Sequence, residues 1–203
     1  MLKRILFQVS FIFIISALIV ACQSKSAQAY EAYKRGIENS RREGSINMLT
    51  QGIIEPQDTI NYKGLNYFDV DSNFRIKARI KELPPLPVEF KTNTERSPLY
   101  FVVCLLEFEV GDSLCTLIAY ADTDKDVKQL FIPFKDASGN VETYGGGRYL
   151  DIEYKGEKDF LTLDFNKAYN PYCHYNHSYS CPLVPEQNRL KVSIKAGEKK
   201  FHE

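Results

Sequence analysis

Phe74-Arg75-Ile76-Lys77-Ala78-Arg79-Ile80-Lys81 decides the fold class. Apolar residues fall on every second position and basic residues on the others. A strand with one buried face and a basic outer stripe accounts for this pattern; a helix, with 3.6 residues per turn, would scatter both sets around its axis. Leu83-Pro84-Pro85-Leu86-Pro87 ends the strand, because proline cannot donate to a ladder.

Outward from this strand the signal repeats. Residues 99–110 and 114–120 read as long strands joined at Gly111-Asp112, and 130–134 as another. The unbroken apolar run 99–106 predicts burial on both faces. Residues 148–166 read as a hairpin, with Lys155-Gly156-Glu157-Lys158 as a type II′ turn. That register sets Leu150 against Leu163 and Ile152 against Leu161 on one face, with Tyr149 against Asp164 and Asp151 against Thr162 on the other. Asp151 and Asp164 then become diagonal neighbours. Upstream, Tyr30, Tyr33 and Ile37 recur at helical spacing, with Lys34, Arg35, Arg41 and Arg42 on other faces. This predicts one amphipathic helix over 27–43, stopped at Gly44. About nine antiparallel strands with one N-terminal amphipathic helix make a mainly β domain, either a sandwich or a partly closed barrel. An aromatic content of 13 Tyr and 13 Phe agrees with strands.

The N-terminus carries a different signal. Lys3 and Arg4 precede an apolar stretch over 5–20 interrupted only by Gln8, Ser10 and Ser16, which is a signal-peptide pattern. It ends in Ile19-Val20-Ala21-Cys22, which resembles a lipobox: small Ala21 fits a peptidase beside the cut, and the Cys22 thiol accepts diacylglycerol. A transmembrane anchor is the alternative, but a span takes roughly 20 apolar residues and no basic stop-transfer cluster follows. The expected organisation is a lipoprotein signal peptide over 1–21, a tether over 22–29 and a single mainly β domain with its helix over 30–203. Gln23 stands where an Asp would signal inner-membrane retention, and the tether lacks an acidic export run. Together these predict a cell-envelope protein on the periplasmic face of an outer membrane, with the membrane as partner through several acyl chains.

Lys and Arg number 26, as do Asp and Glu. Removing 1–21 takes away Lys3 and Arg4 alone among the charges, so the mature chain is slightly acidic and nothing in it suits nucleic acid. About 180 mature residues suffice for one buried core. Cys104 and Cys115 stand on two arms of one hairpin, but the turn at Gly111-Asp112 sets Cys104 opposite Ala119 and Cys115 opposite Phe108. That separation exceeds the roughly 7 Å limit of a disulfide, so both read as small core residues. Cys173 and Cys181 enclose a Tyr-rich polar loop and are expected to form a disulfide in an oxidising compartment. Cys173, His174, His177 and Cys181 also supply zinc-ligand types. Adjacent Cys and His strain a shared tetrahedral site, however, and no metal or other cofactor is expected.

Leu130-Phe131-Ile132-Pro133-Phe134-Lys135-Asp136 and Glu142-Thr143-Tyr144-Gly145-Gly146-Gly147-Arg148-Tyr149-Leu150-Asp151 resemble the hallmark block of the bacterial family called domain of unknown function 1684. Leu163-Asp164-Phe165-Asn166, Ala168-Tyr169-Asn170-Pro171, Tyr179-Ser180-Cys181-Pro182, Glu186-Gln187-Asn188-Arg189 and Ala196-Gly197-Glu198-Lys199 match its C-terminal half. Tyr62-Lys63-Gly64-Leu65-Asn66-Tyr67-Phe68 is similar to its Gly-Leu-aromatic segment, so the resemblance covers roughly 45–200 and is to the compact lipoprotein form. It implies no particular reaction.

The residues themselves point two ways. The favoured expectation is a non-catalytic binding or structural module of the envelope. It would take a small polar or anionic ligand, or an envelope protein, at a Tyr-rich sheet end formed by Tyr144, Arg148, Tyr149, Asn166, Tyr169 and Asn170. The alternative is an envelope hydrolase in which Asp151 and Asp164 act as an acid–base pair or share a divalent metal, with His174 nearby. The simpler account of that pair is a hydrogen-bonded cluster holding the Tyr169-Asn170-Pro171 turn. Gly145-Gly146-Gly147 enters a strand rather than a helix and lacks the Lys-Ser/Thr of a P-loop, so it reads as a bend that lets chains approach closely. No serine sits in a Gly-x-Ser-x-Gly elbow, and with only His174, His177 and His202 available a Ser-His-Asp triad is unsupported.

Overall fold

Strand β1 (Arg75–Glu82) takes the predicted alternation: Ala78 and Ile80 are buried, Ile76 is half-buried, and Arg75, Lys77, Arg79 and Lys81 are exposed. The computed structural model describes residues 2–201, with side chains from Lys25 onward. The expected acylation at Cys22, the signal segment's side chains and His202 therefore lie outside the described residues. The chain divides into two compact units, one up to Ser40 and one from Arg41. A single long helix, α1 (Leu2–Thr50), runs through both. In the first unit Tyr30 and Tyr33 are half-buried and Ile37 is buried, while Arg35 is exposed, and Lys34 pairs with Glu38 at 4.0 Å. Among the described residues no helix is long and apolar enough to cross a membrane.

The helix does not stop at Gly44, as its sequence suggests, but continues to Thr50. A glycine inside a helix costs only about 1 kcal/mol, and the added turn buries Met48 against Ile53, Ile54 and Tyr175. Termination falls instead where the backbone turns left-handed: Gly52 has φ +66°, and the Ile53 N–H reaches back to the Met48 carbonyl at 2.9 Å.

In the second unit, β2 (Pro87–Glu89), β3 (Leu99–Val110), β4 (Ser113–Ala121), β5 (Gln129–Phe134), β6 (Arg148–Glu153) and β7 (Phe160–Asp164) join β1 in one antiparallel sheet. Its order is β6-β5-β4-β3-β1-β7, with β2 paired to β3. Among the described residues the sheet has seven strands rather than about nine, and it forms a half-barrel rather than a closed sandwich. The C-terminal stretch does not add strands. It pairs through single bridges such as Tyr149–Tyr169 and Thr92–Pro182, because prolines and the 3-10 turns Tyr172–His174 and Glu186–Asn188 interrupt any ladder.

One face of the sheet carries the main core, in which Ala78, Cys104, Leu117, Leu130, Leu150 and Leu163 pack with Phe165 and Ile194. The apolar run of β3 covers both faces by means of a bulge. The register slips between Val102 and Cys104, so that Cys104 faces Ala119 in the main core while Val102 faces Tyr120 in a second cluster with Phe90. Cys104 and Cys115 lie opposite Ala119 and Phe108, as their register requires, and both are buried free thiols.

The predicted 148–166 hairpin does not form. β6 pairs with β5, setting Leu150 against Ile132 and Ile152 against Leu130, and β7 pairs with β1, setting Leu163 against Ile76 and Leu161 against Ala78. Gly156 does adopt the positive φ expected of the turn, at +82°. A period-two pattern matches apolar to apolar with any partner of the same kind, so it could not choose the neighbour.

Candidate functional site

Alternation along β5 and β6 decides what the outer face presents. Leu130, Ile132, Leu150 and Ile152 point to the core, which leaves Gln129, Phe131, Tyr149 and Asp151 on the opposite side. Tyr100 of β3 joins them, its ring 5.2 Å from Phe131. The chain after β7 then folds back over this face: Tyr149 and Tyr169 exchange backbone hydrogen bonds of 2.8 and 3.0 Å, and Tyr172, Tyr179 and Pro182 form the far wall. The result is a groove of about 540 Å³ lined by six aromatic rings, with Asp151 and Asp122 among its polar groups.

The groove is held by its own hydroxyls. Tyr169 Oη donates to Asp151 Oδ2 at 2.7 Å, and Tyr149 Oη donates to the Pro182 carbonyl. Burial pushes the phenol pKa of both tyrosines well up, so both are neutral proton donors at any physiological pH. Partial burial, which strips water from the charged form, raises the Asp151 carboxyl pKa against the hydrogen bonds from Tyr169 and Gln129 that lower it.

Asp151 and Asp164 are not strand neighbours. Asp151 faces Phe131 across the ladder and Asp164 faces Arg75, and their side chains serve different partners. Asp164 caps the 3-10 turn Phe165–Lys167, accepting from the Asn166 N–H and Asn166 Nδ2, both at 3.2 Å. Asn166 is itself buried and ties this turn to Asp71 through two hydrogen bonds. His174 lies outside the groove, its ring stacked on Tyr144 at 4.1 Å and its Nε2 accepting the Phe201 N–H at 2.9 Å. The acid–base pair required for hydrolysis is thus not assembled, and the architectural account of Asp164 is the one its contacts support.

Arg148, expected at the binding end, is in the interior. Its guanidinium pairs with Asp136 at 2.5 Å and donates to the carbonyls of Ile194, Ala196 and Glu198. It is 1% exposed, so no anion reaches it. The glycine run before it serves close approach, as expected: a Cβ on Gly147, whose φ is +99°, would lie 2.7 Å from the Phe134 carbonyl oxygen.

Asn170 is buried as well, and it leads to a residue that pattern reasoning passed over. Its N–H donates to Glu198 Oε2 at 2.8 Å, and Tyr175 Oη donates to Glu198 Oε1. Glu198 is 2% exposed, and burial pushes its carboxyl pKa up to about 7 against those hydrogen bonds. A smaller cavity of about 230 Å³ lies beside it, lined by Met48, Tyr67 and Asn170 among others, with Tyr169 and Tyr172 shared with the groove. The available signal was Glu198's place in the Ala196-Gly197-Glu198-Lys199 motif, where a lone carboxylate reads as surface.

Cys173 and Cys181 are free thiols rather than the expected disulfide, but they are adjacent: the Cys173 N–H donates to Cys181 Sγ at 3.2 Å. Folding brings the sulfurs together, and oxidation is a separate chemical step. Each acts first on the other. A hydrogen bond from the Cys173 thiol to the Cys181 sulfur pushes the Cys173 thiol pKa up and lowers that of Cys181 to about 7. Among the described residues no group of three or more His, Cys, Asp or Glu side chains is placed to hold a metal ion, so the Cys173, His174, His177 and Cys181 set is not assembled as ligands.

The fold and its outer face define a half-barrel β protein with an aromatic groove closed over by its C-terminal segment. The profile of the family described as "Protein of unknown function (DUF1684)" matches residues 60–199, and the chain belongs to that family. The chain is also similar to an uncharacterized protein of Haloarcula marismortui solved by solution NMR, with 31% identity and a TM-score of 0.69 over 87% of this chain and 98% of that one. No curated protein matches it.

Proposed function

We propose that this chain is a non-catalytic binding module of the cell envelope, processed and acylated at Cys22, whose outer-face groove holds a small polar molecule. The observation that carries the binding role is the groove itself: about 540 Å³, within the size range of ligand sites, walled by aromatic rings and furnished with a few fixed polar groups. Asp151 and Asp164 sit on strands with different partners and serve different contacts, which supports the binding reading over hydrolysis. In an oxidising compartment Cys173 and Cys181 close a disulfide, losing two protons and passing two electrons to a thiol oxidant, which pins the groove wall at Cys181.

Tyrosine-ring NMR signals of the full-length chain in neutral detergent micelles test this reading against a panel of sugars, amines and amino acids. At least one class should shift signals of Tyr149, Tyr169, Tyr172 and Tyr179 saturably. A panel that leaves all four unmoved refutes the binding role.

A further inference from the structure

The charge of the groove is one-sided. Asp122 and Asp151 line it, whereas among the described residues no Lys, Arg or His does. Burial raises the Tyr100 phenol pKa and both carboxylates raise it further, with Arg96, outside the lining, opposing, so both carboxylates act on the Tyr100 side of the groove they line.

Three ring pairs of the groove are set at steep angles, while Tyr100 and Phe131 lie at 30°. Phe131 and Tyr149 stand 4.9 Å apart at 75°, Tyr149 and Tyr169 5.8 Å apart at 89°, and Tyr172 and Tyr179 5.4 Å apart at 74°. Rings turned this way cover one face of each pair with the partner's edge and leave other faces, of differing orientation, along the groove, and each face carries the negative end of the ring quadrupole. Two of the five phenol protons that would serve an anion or a sugar oxygen are already spent inside the protein: Tyr149 gives its proton to Pro182 and Tyr169 to Asp151. The Gln129 amide is likewise given to Asp151 and the Ser180 hydroxyl is paired with Thr94, so ring faces and carboxylates remain beside the hydroxyls of Tyr100, Tyr172 and Tyr179.

We infer that the groove takes a small organic ammonium ion, its charge set against the ring faces and against Asp151 and Asp122. The inference rests on the reading of the groove as a binding site and names its ligand class. Ring faces attract a desolvated cation and give nothing comparable to a neutral group of the same shape. A preference of at least about tenfold follows.

Choline and its neutral isostere, in which carbon replaces the ammonium nitrogen, isolate the charge. Each is titrated into the full-length chain in neutral detergent micelles, reading the tyrosine-ring signals. Choline should shift Tyr149, Tyr169 and Tyr172 with affinity at least about tenfold above the isostere. Asp151→Asn and Phe131→Leu should each weaken choline binding while leaving any binding of the neutral isostere unchanged, read at a temperature where circular dichroism shows both variants fully folded, since Asp151 accepts from Tyr169 and Phe131 packs against Tyr100 and Tyr149. Asp126→Asn, in an exposed ion pair with Lys128, should not. Equal affinity for the two compounds, or a preference for the neutral one, overturns the ammonium assignment and leaves the groove standing as a site. Groove shifts by a sugar but by neither compound do the same, and silence across the wider panel overturns both.

Discussion

Glu198→Gln tests the buried carboxyl at the inner end of the C-terminal segment. In the unfolded chain Glu198 ionises near 4.5, and in the folded protein burial holds its proton until about 7. Between these values the native state binds more protons than the unfolded state, so stability is greatest at low pH and is lost as pH rises through that window. At about 1.4 kcal/mol per pH unit the loss through this one group is on the order of 3 kcal/mol. Glutamine keeps the shape, still accepts from the Asn170 N–H and cannot ionise, so the pH-dependent loss should vanish. Urea unfolding of both proteins from pH 4 to pH 8 measures it. The stability difference between variant and parent should shift in favour of the variant by that amount as pH rises, whatever its offset at pH 4. Parallel curves across the window would refute the buried, late-ionising carboxyl.

Arg148→Met should cost about 3–5 kcal/mol in urea unfolding, because Asp136 is left buried without its cation and three carbonyls lose their donor; a loss below 1 kcal/mol would contradict the ion pair's burial. Mass mapping of the oxidised, unreduced protein should recover Cys173 and Cys181 peptides linked and Cys104 and Cys115 unlinked, and of these two free thiols a reagent should reach Cys115 before Cys104, which is 1% exposed and whose thiol pKa burial pushes up to about 11. Recovery of all four as free thiols from an oxidising envelope would defeat the disulfide. Cys22→Ser should accumulate unprocessed precursor and abolish detergent-phase partitioning, and normal maturation of that variant would exclude lipid anchoring.

Local rules carried the strands a long way. The alternation from Phe74 to Lys81, the turn at Gly111-Asp112 and the proline break at 83–87 each depend on neighbours in sequence, and β1, β3 and β4 lie where those rules put them. The opposition of Cys104 to Ala119 followed for the same reason, since a tight turn transmits its register along both arms. The helix end at Thr50 did not follow, because the burial of Met48 outweighs the weak preference of Gly44 to stop a helix.

Of the candidate site, the amino-acid sequence by itself determined that polar and tyrosine side chains gather near β6 and the segment after β7, and Tyr149, Asp151 and Tyr169 do meet there. Only the tertiary structure decided which of these residues face solvent. The choice of β5 and β1 as partners for β6 and β7 parted Asp151 from Asp164, and the passage of the C-terminal segment over the sheet enclosed Arg148 and Glu198. The physical reason is that periodicity reports a side chain's face relative to its own strand. Burial and charge pairing depend on which distant segment covers that face.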